Sequence, residues 1–314
     1  MNYIYSDRSL NSSNCENVSL VFQKLIRKDI IENSRNKKWF LESVINIQRS
    51  MNYVPKIIDH FAKRIETQRA DLEKLGYENI FKNENNKDKC LKLKTASRLV
   101  VGLGAGHVLE TSLTLHHIFG IPYIPGSALK GEVRMVNFWE IVSEENKKSD
   151  KEIQELQEQL YDKEISNSDS NEILKHKLLF GTQKFKGLLV FLDVYPEVQN
   201  NQQIFELDVM TTHYQGYYTK NQVPGDWENP NPIPFLTVKK GITFCFNVLF
   251  DKFRAERLLT LKDDEFPNQA KNIIREWFND NLSKISQDVK VWIEEALKEF
   301  GVGAKTRLGY GIFE

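Results

Sequence analysis

No apolar run in this sequence approaches the roughly 18 residues that a membrane-spanning helix requires; the best, Leu188 to Leu192, is strand-sized. Cysteine is also scarce. Cys15, Cys90 and Cys245 lie far apart and match neither a CxxC pair nor a zinc-ligand spacing, so no metal is indicated and reduced free thiols are expected. Met1 to Asn14 is polar and lacks the basic-then-apolar order of a secretion signal. A soluble cytoplasmic protein without membrane association is the expectation. Net charge is missing as well: 43 Lys and Arg residues balance 43 Asp and Glu, which taken alone argues against a nucleic-acid partner. The distribution reverses that argument. Between Glu140 and Glu172 eleven carboxylates face four lysines, a local charge of −7, so the rest of the neutral chain carries +7. That excess suffices for a basic face if the acidic segment projects away from it.

What is present divides the 314 residues into about two domain-sized stretches. Residues 1–89 read as helical, with apolar residues at helical spacing over Val18 to Ile31, Trp39 to Ile47 and Val54 to Leu75. Near Cys90 the period changes. Leu91 and Leu93 alternate with Lys92 and Lys94, and the run continues to Val101, which predicts a half-buried strand. After Pro122-Tyr-Ile-Pro-Gly126, Ser127 is placed to cap a helix whose apolar stripe is Leu129, Val133 and Val136. Lys130 and Arg134 share another face of it, and Gly131 inside it suggests a close backbone approach. The segment of about 140–177 is helix-prone, acidic and weakly amphipathic, so it reads as an insertion. Strands are predicted over Lys186 to Val194 and Ile204 to Thr211, followed by a hairpin of Phe235 to Val238 and Ile242 to Phe250 turning at Lys239 to Gly241. A helix over Ile285 to Phe300 and a short strand, Tyr310 to Phe313, end the chain. The fold class is therefore α+β. Its order is that of a ferredoxin-like β-α-β-β-α-β core over 90–314, with long helical and loop insertions; RNA-recognition domains share it and bind single strands on the open sheet face.

Gly301-Val-Gly-Ala-Lys-Thr-Arg-Leu-Gly-Tyr-Gly311 joins the last helix to the last strand. Gly301, Gly303, Gly309 and Gly311 permit positive φ and leave no Cβ, so backbone N–H groups can approach a phosphate, with Lys305 and Arg307 supplying charge. A passive connector with two solvated cations is the competing reading. A nucleotide-binding P-loop is excluded, because Ala304 and Glu299 stand where its glycines belong and a helix precedes the loop. The 212–234 insertion holds His213, Tyr214, Tyr217, Tyr218 and Trp227; its aromatics could stack bases, or pack on their own sheet or a neighbour. His107 and His213 are candidates to touch a phosphate or act as a general base, against the plainer role of a structural hydrogen bond. His116 and His117 are adjacent and lack any HExxH partner.

Five segments, in order, carry a resemblance: Arg98 to Glu110, Ile121 to Gly131, Asp208-Val-Met-Thr-Thr-His-Tyr214, Pro224-Gly-Asp-Trp227 with Pro232 to Thr237, and the terminal glycine-rich loop. Together they resemble the RAMP superfamily of CRISPR proteins, and within it the sixth-subunit family of the type III-B Cmr RNA-targeting effector. The resemblance implies a non-catalytic, cofactor-free, RNA-binding subunit acting in antiviral defence. It would cap the filament of backbone subunits and hold the 3′ part of the guide CRISPR RNA during target RNA recognition, beside neighbouring Cmr backbone, small and head subunits. Lys130, Arg134, Lys305 and Arg307 would lie nearest the RNA backbone and the four loop glycines would let it approach. The 212–234 insertion stands where related subunits carry a thumb-like hairpin. The alternative is a metal-independent guide-processing endoribonuclease of the same superfamily, with His107 or His213 as base and Lys305 as stabiliser. A cap that touches only protein is a third possibility.

Overall fold

The computed structural model describes residues 18–23, 26, 30, 34–50, 54–81, 90–147, 149–161, 163–197 and 202–314. Met1 to Asn14, Cys15 and part of the first predicted helix lie outside them. The helical N-terminus supplies α1 (Val18–Gln23), α2 (Ser34–Ser50) and α3 (Val54–Lys74). Val21, Phe22, Phe40, Leu41 and Val44 belong to the same hydrophobic core as the sheet residues, so these helices do not form a core of their own.

Two three-stranded sheets are built on consecutive strands, one on β7 (Thr243–Phe246) and one on β8 (Val248–Asp251), which are separated only by Asn247. Strand β7 pairs antiparallel with β2 (Leu91–Lys94) and with β4 (Tyr195–Glu197), and β8 with β1 (Tyr77–Asn79) and β3 (Leu189–Phe191). The C-terminus adds a further antiparallel track: Thr95 bridges Phe313, and Lys94 and Glu314 exchange backbone bonds of 2.9 and 2.8 Å. Across the β7 sheet the order is C-terminal segment, β2, β7, β4. Phe244, Phe246 and Phe313 alternate into the core with Leu129, Val133, Ile293 and Leu297, which lie on α4 (Gly126–Glu144), on α10 (Ser283–Glu295) and in the π-turn Ala296–Phe300. The opposite face carries Lys92, Lys94, Thr243, Cys245, Tyr195 and Glu197. It is not an open platform, because Arg69 of α3 is buried and bonds Asn247 Oδ1 at 3.5 Å.

Several expectations change. Cys90 and Cys245 are joined by a disulfide, with Cα atoms 5.8 Å apart, instead of being free thiols. Pairing of β2 with β7 puts Lys92 opposite Cys245 and thereby brings together cysteines 155 residues apart, which no local spacing reveals. The predicted hairpin does not form. Strand β6 (Asn231–Val238) pairs with β5 (Phe205–Thr212) over eight positions, from Phe205↔Val238 to Thr212↔Asn231, and Lys239 to Gly241 hands the chain on to β7. A two-stranded ribbon results, with the short helix α7 (Gln215–Lys220) at its far end. Helix α2 packs on both strands.

The acidic segment divides. Helix α5 (Asp150–Tyr161) keeps an exposed charged face, whereas α6 (Asn171–Phe180) is buried nearly all round, with Leu174, Leu178, Leu179 and Phe180 in the main core. Burial on all sides removes the polar stripe that makes a helix read as amphipathic, which is why α6 looked peripheral. Helices α8 (Lys252–Thr260) and α9 (Asn268–Asn279) complete the fold. At the start of α4 the expected Ser127 cap is replaced: Pro125 is the cap residue, and Asp193 Oδ1 accepts the Gly126 N–H at 2.8 Å. A Cβ on Gly126 would stand 2.2 Å from Phe191 O, so this helix start is pressed against the β3–β4 track.

Candidate nucleic-acid interface

Helix α10 runs through the π-turn Ala296–Phe300 into the glycine-rich loop. Gly301 turns the chain at φ 76° and its N–H bonds Ala296 O at 2.8 Å. Val302 is then buried, its N–H bonding Gly311 O at 3.0 Å, while Ala304 N–H bonds Val100 O at 2.8 Å and Gly311 N–H bonds Arg98 O at 2.7 Å. A Cβ on Gly303 would lie 2.4 Å from Val100 O, and one on Gly311 would lie 2.0 Å from Val302 O. At these two positions glycine admits the chain's own backbone. A Cβ on Gly309, at φ 85°, would meet no atom within 4 Å, so this is the loop glycine that opens outward.

The loop therefore has a locked base and a projecting apex. Lys305 takes the left-handed conformation at φ 63°, and its ammonium lies 5.8 Å from the centre of the Phe235 ring, a cation–π contact that ties loop to ribbon. Thr306–Leu308 form one 3-10 turn, with Arg307 exposed and Leu308 71% exposed. Beside the base lies a cluster that the sequence pattern did not single out. Arg98 binds Glu206 and Asp208, both at 3.2 Å, and Tyr310 donates its phenol proton to Asp208. Burial and that bond raise the Tyr310 pKa, while the Glu206 hydrogen bond holds the Arg98 guanidinium firmly charged. The signal was available in part, because Glu206 and Asp208 two residues apart must share one face of a strand.

The ribbon end presents the aromatics. Gly216 N–H bonds Glu228 at 2.8 Å, Tyr214 bonds Asp226 at 3.3 Å, and the Trp227 indole lies against Gly225. Held this way, Tyr218 and Trp227 are each 77% exposed, and Tyr217 is exposed with its ring 5.2 Å from that of Tyr218. These rings do not pack on their own sheet. His213 is exposed beside Tyr214, with ring centres 6.0 Å apart.

Two of the remaining candidates, His107 and Arg134, are engaged elsewhere. His107 stacks on Phe22 at 4.6 Å; its Nδ1 accepts the Leu109 N–H at 3.2 Å, so Nε2 carries the proton given to Phe22 O at 3.0 Å. Burial lowers its pKa, and it fastens α1 to the 102–110 segment. Arg134 donates to His176 Nε2 at 3.3 Å and to Leu160 O at 3.2 Å, and lies over the Tyr161 ring at 5.0 Å. It clamps α5 and α6 to α4, and among the described residues none of these partners belongs to the loop. Burial, with Arg134 and Lys186 nearby, lowers the Lys130 pKa. A Cβ on Gly131 would meet no atom of a neighbouring element within 4 Å, so the expected close approach is absent there. Among the described residues one grouping has a metal-like donor set, Cys90, Cys245 and Glu197; its sulfurs are bonded to each other and Glu197 pairs with Lys92 at 3.1 Å.

His176 gives a pH prediction. Its Nε2 accepts from Arg134, so Nδ1–H donates to Asn137 Oδ1 at 2.7 Å, and burial pushes the pKa down to about 3, helped by Arg134, Lys177 and Lys130. A depressed folded pKa means that the unfolded chain binds the proton more readily. The associated stability is complete above the unfolded value of 6.5 and is lost as pH falls toward about 3. Between pH 7 and 5 the imidazole should cost the wild type about 2 kcal/mol. Urea unfolding of wild type and His176→Gln at both pH values checks this; equal pH dependence in the two proteins would refute it.

Comparisons with known proteins agree with a RAMP architecture. A family profile described as the RAMP superfamily matches residues 92–314. The CRISPR system Cmr subunit Cmr6 of Pyrococcus furiosus is 35% identical over 253 residues, covering 70% of this chain and 66% of that protein. The corresponding subunit of Saccharolobus solfataricus is 24% identical over 164 residues, covering 51% of this chain and 45% of that one. The chain thus spans less than two thirds of the length of these curated relatives. Among solved structures, the type III-B Cmr-beta complex bound to cognate target RNA contains a chain 19% identical, with a TM-score of 0.47, covering 89% of this chain and 72% of that one. The crystal structure of Cmr6 from Pyrococcus furiosus matches at 31% identity and a TM-score of 0.40, covering 71% of this chain and 94% of that one.

Proposed function

The chain belongs to the RAMP superfamily, and from that premise we propose that it is a non-catalytic RNA-binding subunit of a type III-B Cmr effector complex. It caps the filament of backbone subunits and holds the 3′ part of the guide CRISPR RNA while target RNA is recognised. The sheet order, with a helix after β2 and another before the C-terminal segment, supports reading the core as the ferredoxin-like β-α-β-β-α-β unit.

One observation carries the proposal: the loop apex bearing Lys305 and Arg307 projects from a base locked onto Arg98 and Val100. A rigid, positively charged projection meets a phosphate backbone without ordering a mobile segment first. Lys305 and Arg307 are therefore the primary RNA contacts, with Gly309 giving room. His213, Tyr217, Tyr218 and Trp227 at the ribbon end are a second contact, suited to stacking on bases. Arg134 and His107 are left out of this interface, because their hydrogen bonds serve the fold. The non-catalytic reading is supported by the same geometry: His107 is fixed in one tautomer between Phe22 and Leu109, where its ring nitrogens are both committed to backbone groups.

In the assembled complex, Lys305→Ala with Arg307→Ala should weaken guide retention. It should also flatten the dependence of log affinity on log salt by about 0.7 for each phosphate that is no longer neutralised. Guide retention measured across a salt series tests this. Unchanged retention with an unchanged slope would remove the loop from the interface.

A further inference from the structure

Gly131 and the acidic helix α5 take no part in the loop or the ribbon, and they meet at a cleft of about 360 Å³ between α4 and α5. Phe138 and Trp139 line it from α4, and Leu160 and Tyr161 from α5. Trp139 and Tyr161 are each about half exposed, and the Phe138 ring lies 5.3 Å from that of Trp139, edge-on. Arg134 bridges the two helices, since its guanidinium bonds Leu160 O and lies over the Tyr161 ring. Half-exposed aromatic rings beside an apolar cleft are the composition of a protein contact site. The volume is near the lower limit of the ~300–1,000 Å³ usual for binding clefts, which suits one large inserted side chain. Glycine keeps the cleft open. Gly131 lines it, although glycine in a helix interior costs about 1 kcal/mol relative to alanine. A Cβ here would meet no atom of a neighbouring element within 4 Å, so packing inside the chain does not demand glycine. A larger side chain would instead fill part of the cleft.

Charge on the two helices selects the kind of partner. Helix α5 carries Asp150, Glu152, Glu155 and Glu158 against Lys151. Helix α4 carries Glu132, Glu140 and Glu144 against Lys130 and Arg134. Burial, Glu172 and Glu140 raise the Glu144 pKa, so the negative charge on this side of α4 is not fully compensated. Among the described residues that line the cleft, Arg134 is the one charged side chain, and His176 and Leu160 O already hold its guanidinium. A phosphate backbone approaching these helices would meet net repulsion, whereas a segment bearing lysine or arginine would be drawn in.

We propose that this cleft docks a basic segment of a neighbouring protein subunit, which inserts one large apolar side chain between Trp139 and Tyr161. The proposal rests on the reading of the chain as a subunit of a larger assembly. It gives α5 a role in protein contact, distinct from the RNA contacts of the loop and the ribbon.

Two measurements test it. In the first, fluorescence anisotropy follows the binding of three labelled peptides to the purified full chain: Lys-Arg-Phe-Lys-Arg, Lys-Arg-Ala-Lys-Arg and Glu-Glu-Phe-Glu-Glu. The basic peptide with phenylalanine should bind most tightly, and raised salt should weaken it. Gly131→Leu should weaken it roughly tenfold or more by filling the cleft, as loss of a central anchor does. Leucine is the better helix former, so this variant should fold at least as stably as the wild type. In the second, the complex is reconstituted with wild type, Gly131→Leu or Trp139→Ala. Both variants should be incorporated less well, while single-stranded RNA binding by the isolated chain stays unchanged. Equal binding of the three peptides, or normal incorporation of Gly131→Leu, would overturn the cleft assignment alone. Wild type that fails to enter the assembly would overturn the subunit reading and with it the occupant. Loss of RNA binding in Gly131→Leu would make RNA the occupant, and a wild-type dimer that Gly131→Leu dissolves would make it a second copy; either overturns the proposal.

Discussion

Replacing Asp169 with alanine should destabilise the protein by about 3–5 kcal/mol, the cost of leaving a buried charge without its partner. Lys177 on α6 has a side chain 0% exposed and Asp169 one 3% exposed, with 2.8 Å between ammonium and carboxylate. Asp169 also accepts from Gln159 at 2.9 Å and from the Ser166 N–H at 2.9 Å, so it organises the turn leading into α6. In the variant Lys177 retains only its bond to Glu164 O, at 3.0 Å. The damage should spread, because the same helix delivers Leu174, Leu178 and Phe180 to the core. Urea unfolding gives the number. Replacing both partners, as Asp169→Leu with Lys177→Met, should recover much of the loss, since two apolar groups leave no charge to solvate. A loss below about 1 kcal/mol for Asp169→Ala would mean that water reaches Lys177 and the pair is not buried.

The second large effect lies in the loop base. Gly311→Ala and Gly309→Ala both place a side chain at positive φ, 72° and 85°, and so share a strain of about 1–2 kcal/mol. They differ in surroundings. The Gly309 Cβ points into space, whereas the Gly311 Cβ would sit 2.0 Å from Val302 O. Val302 cannot retreat without breaking its own bond to Gly311 O and the Gly311 bond to Arg98 O. Gly311→Ala should therefore cost roughly 3 kcal/mol or more and release the loop. Two readouts distinguish the variants. Amide exchange at Val302 and Ala304 should rise in Gly311→Ala alone. Guide retention by the assembled complex should fall in Gly311→Ala even though Lys305 and Arg307 are intact. If the two variants behave alike, the base is not locked, and the projecting apex loses its physical basis.

How much of this was legible depended on whether the signal was local. The amphipathic run from Ile285 to Phe300 and the helical periods of Trp39 to Ile47 and Val54 to Leu75 each lie within a few residues, and each formed as read, whereas the strand expected from Leu91 to Val101 ends at Lys94 and continues only as isolated bridges at Thr95 and Leu99. The glycine spacing of 301–311 likewise identified a loop with special backbone, since four positive-φ positions are hard to fill otherwise. At Gly303 and Gly311 the sequence reports that Cβ is excluded without saying what excludes it, and the structure supplies the chain's own backbone there. Arg134 shows a related limit: a cation one turn from Lys130 looks the same in sequence whether or not His176 and Tyr161 engage it.

By itself, then, the sequence determined an α+β chain, a glycine-rich turn after the last helix and membership of a known superfamily. These follow from backbone sterics and the periodicity of burial, which each residue and its near neighbours dictate. Tertiary structure decided which strands pair, and so turned a supposed hairpin into the β5–β6 ribbon and joined Cys90 to Cys245. It decided that Asp193 caps α4. It also decided which cations stay outside. Burial, pairing and capping depend on contacts between residues tens to hundreds of positions apart, and such contacts exist only once the chain has closed on itself.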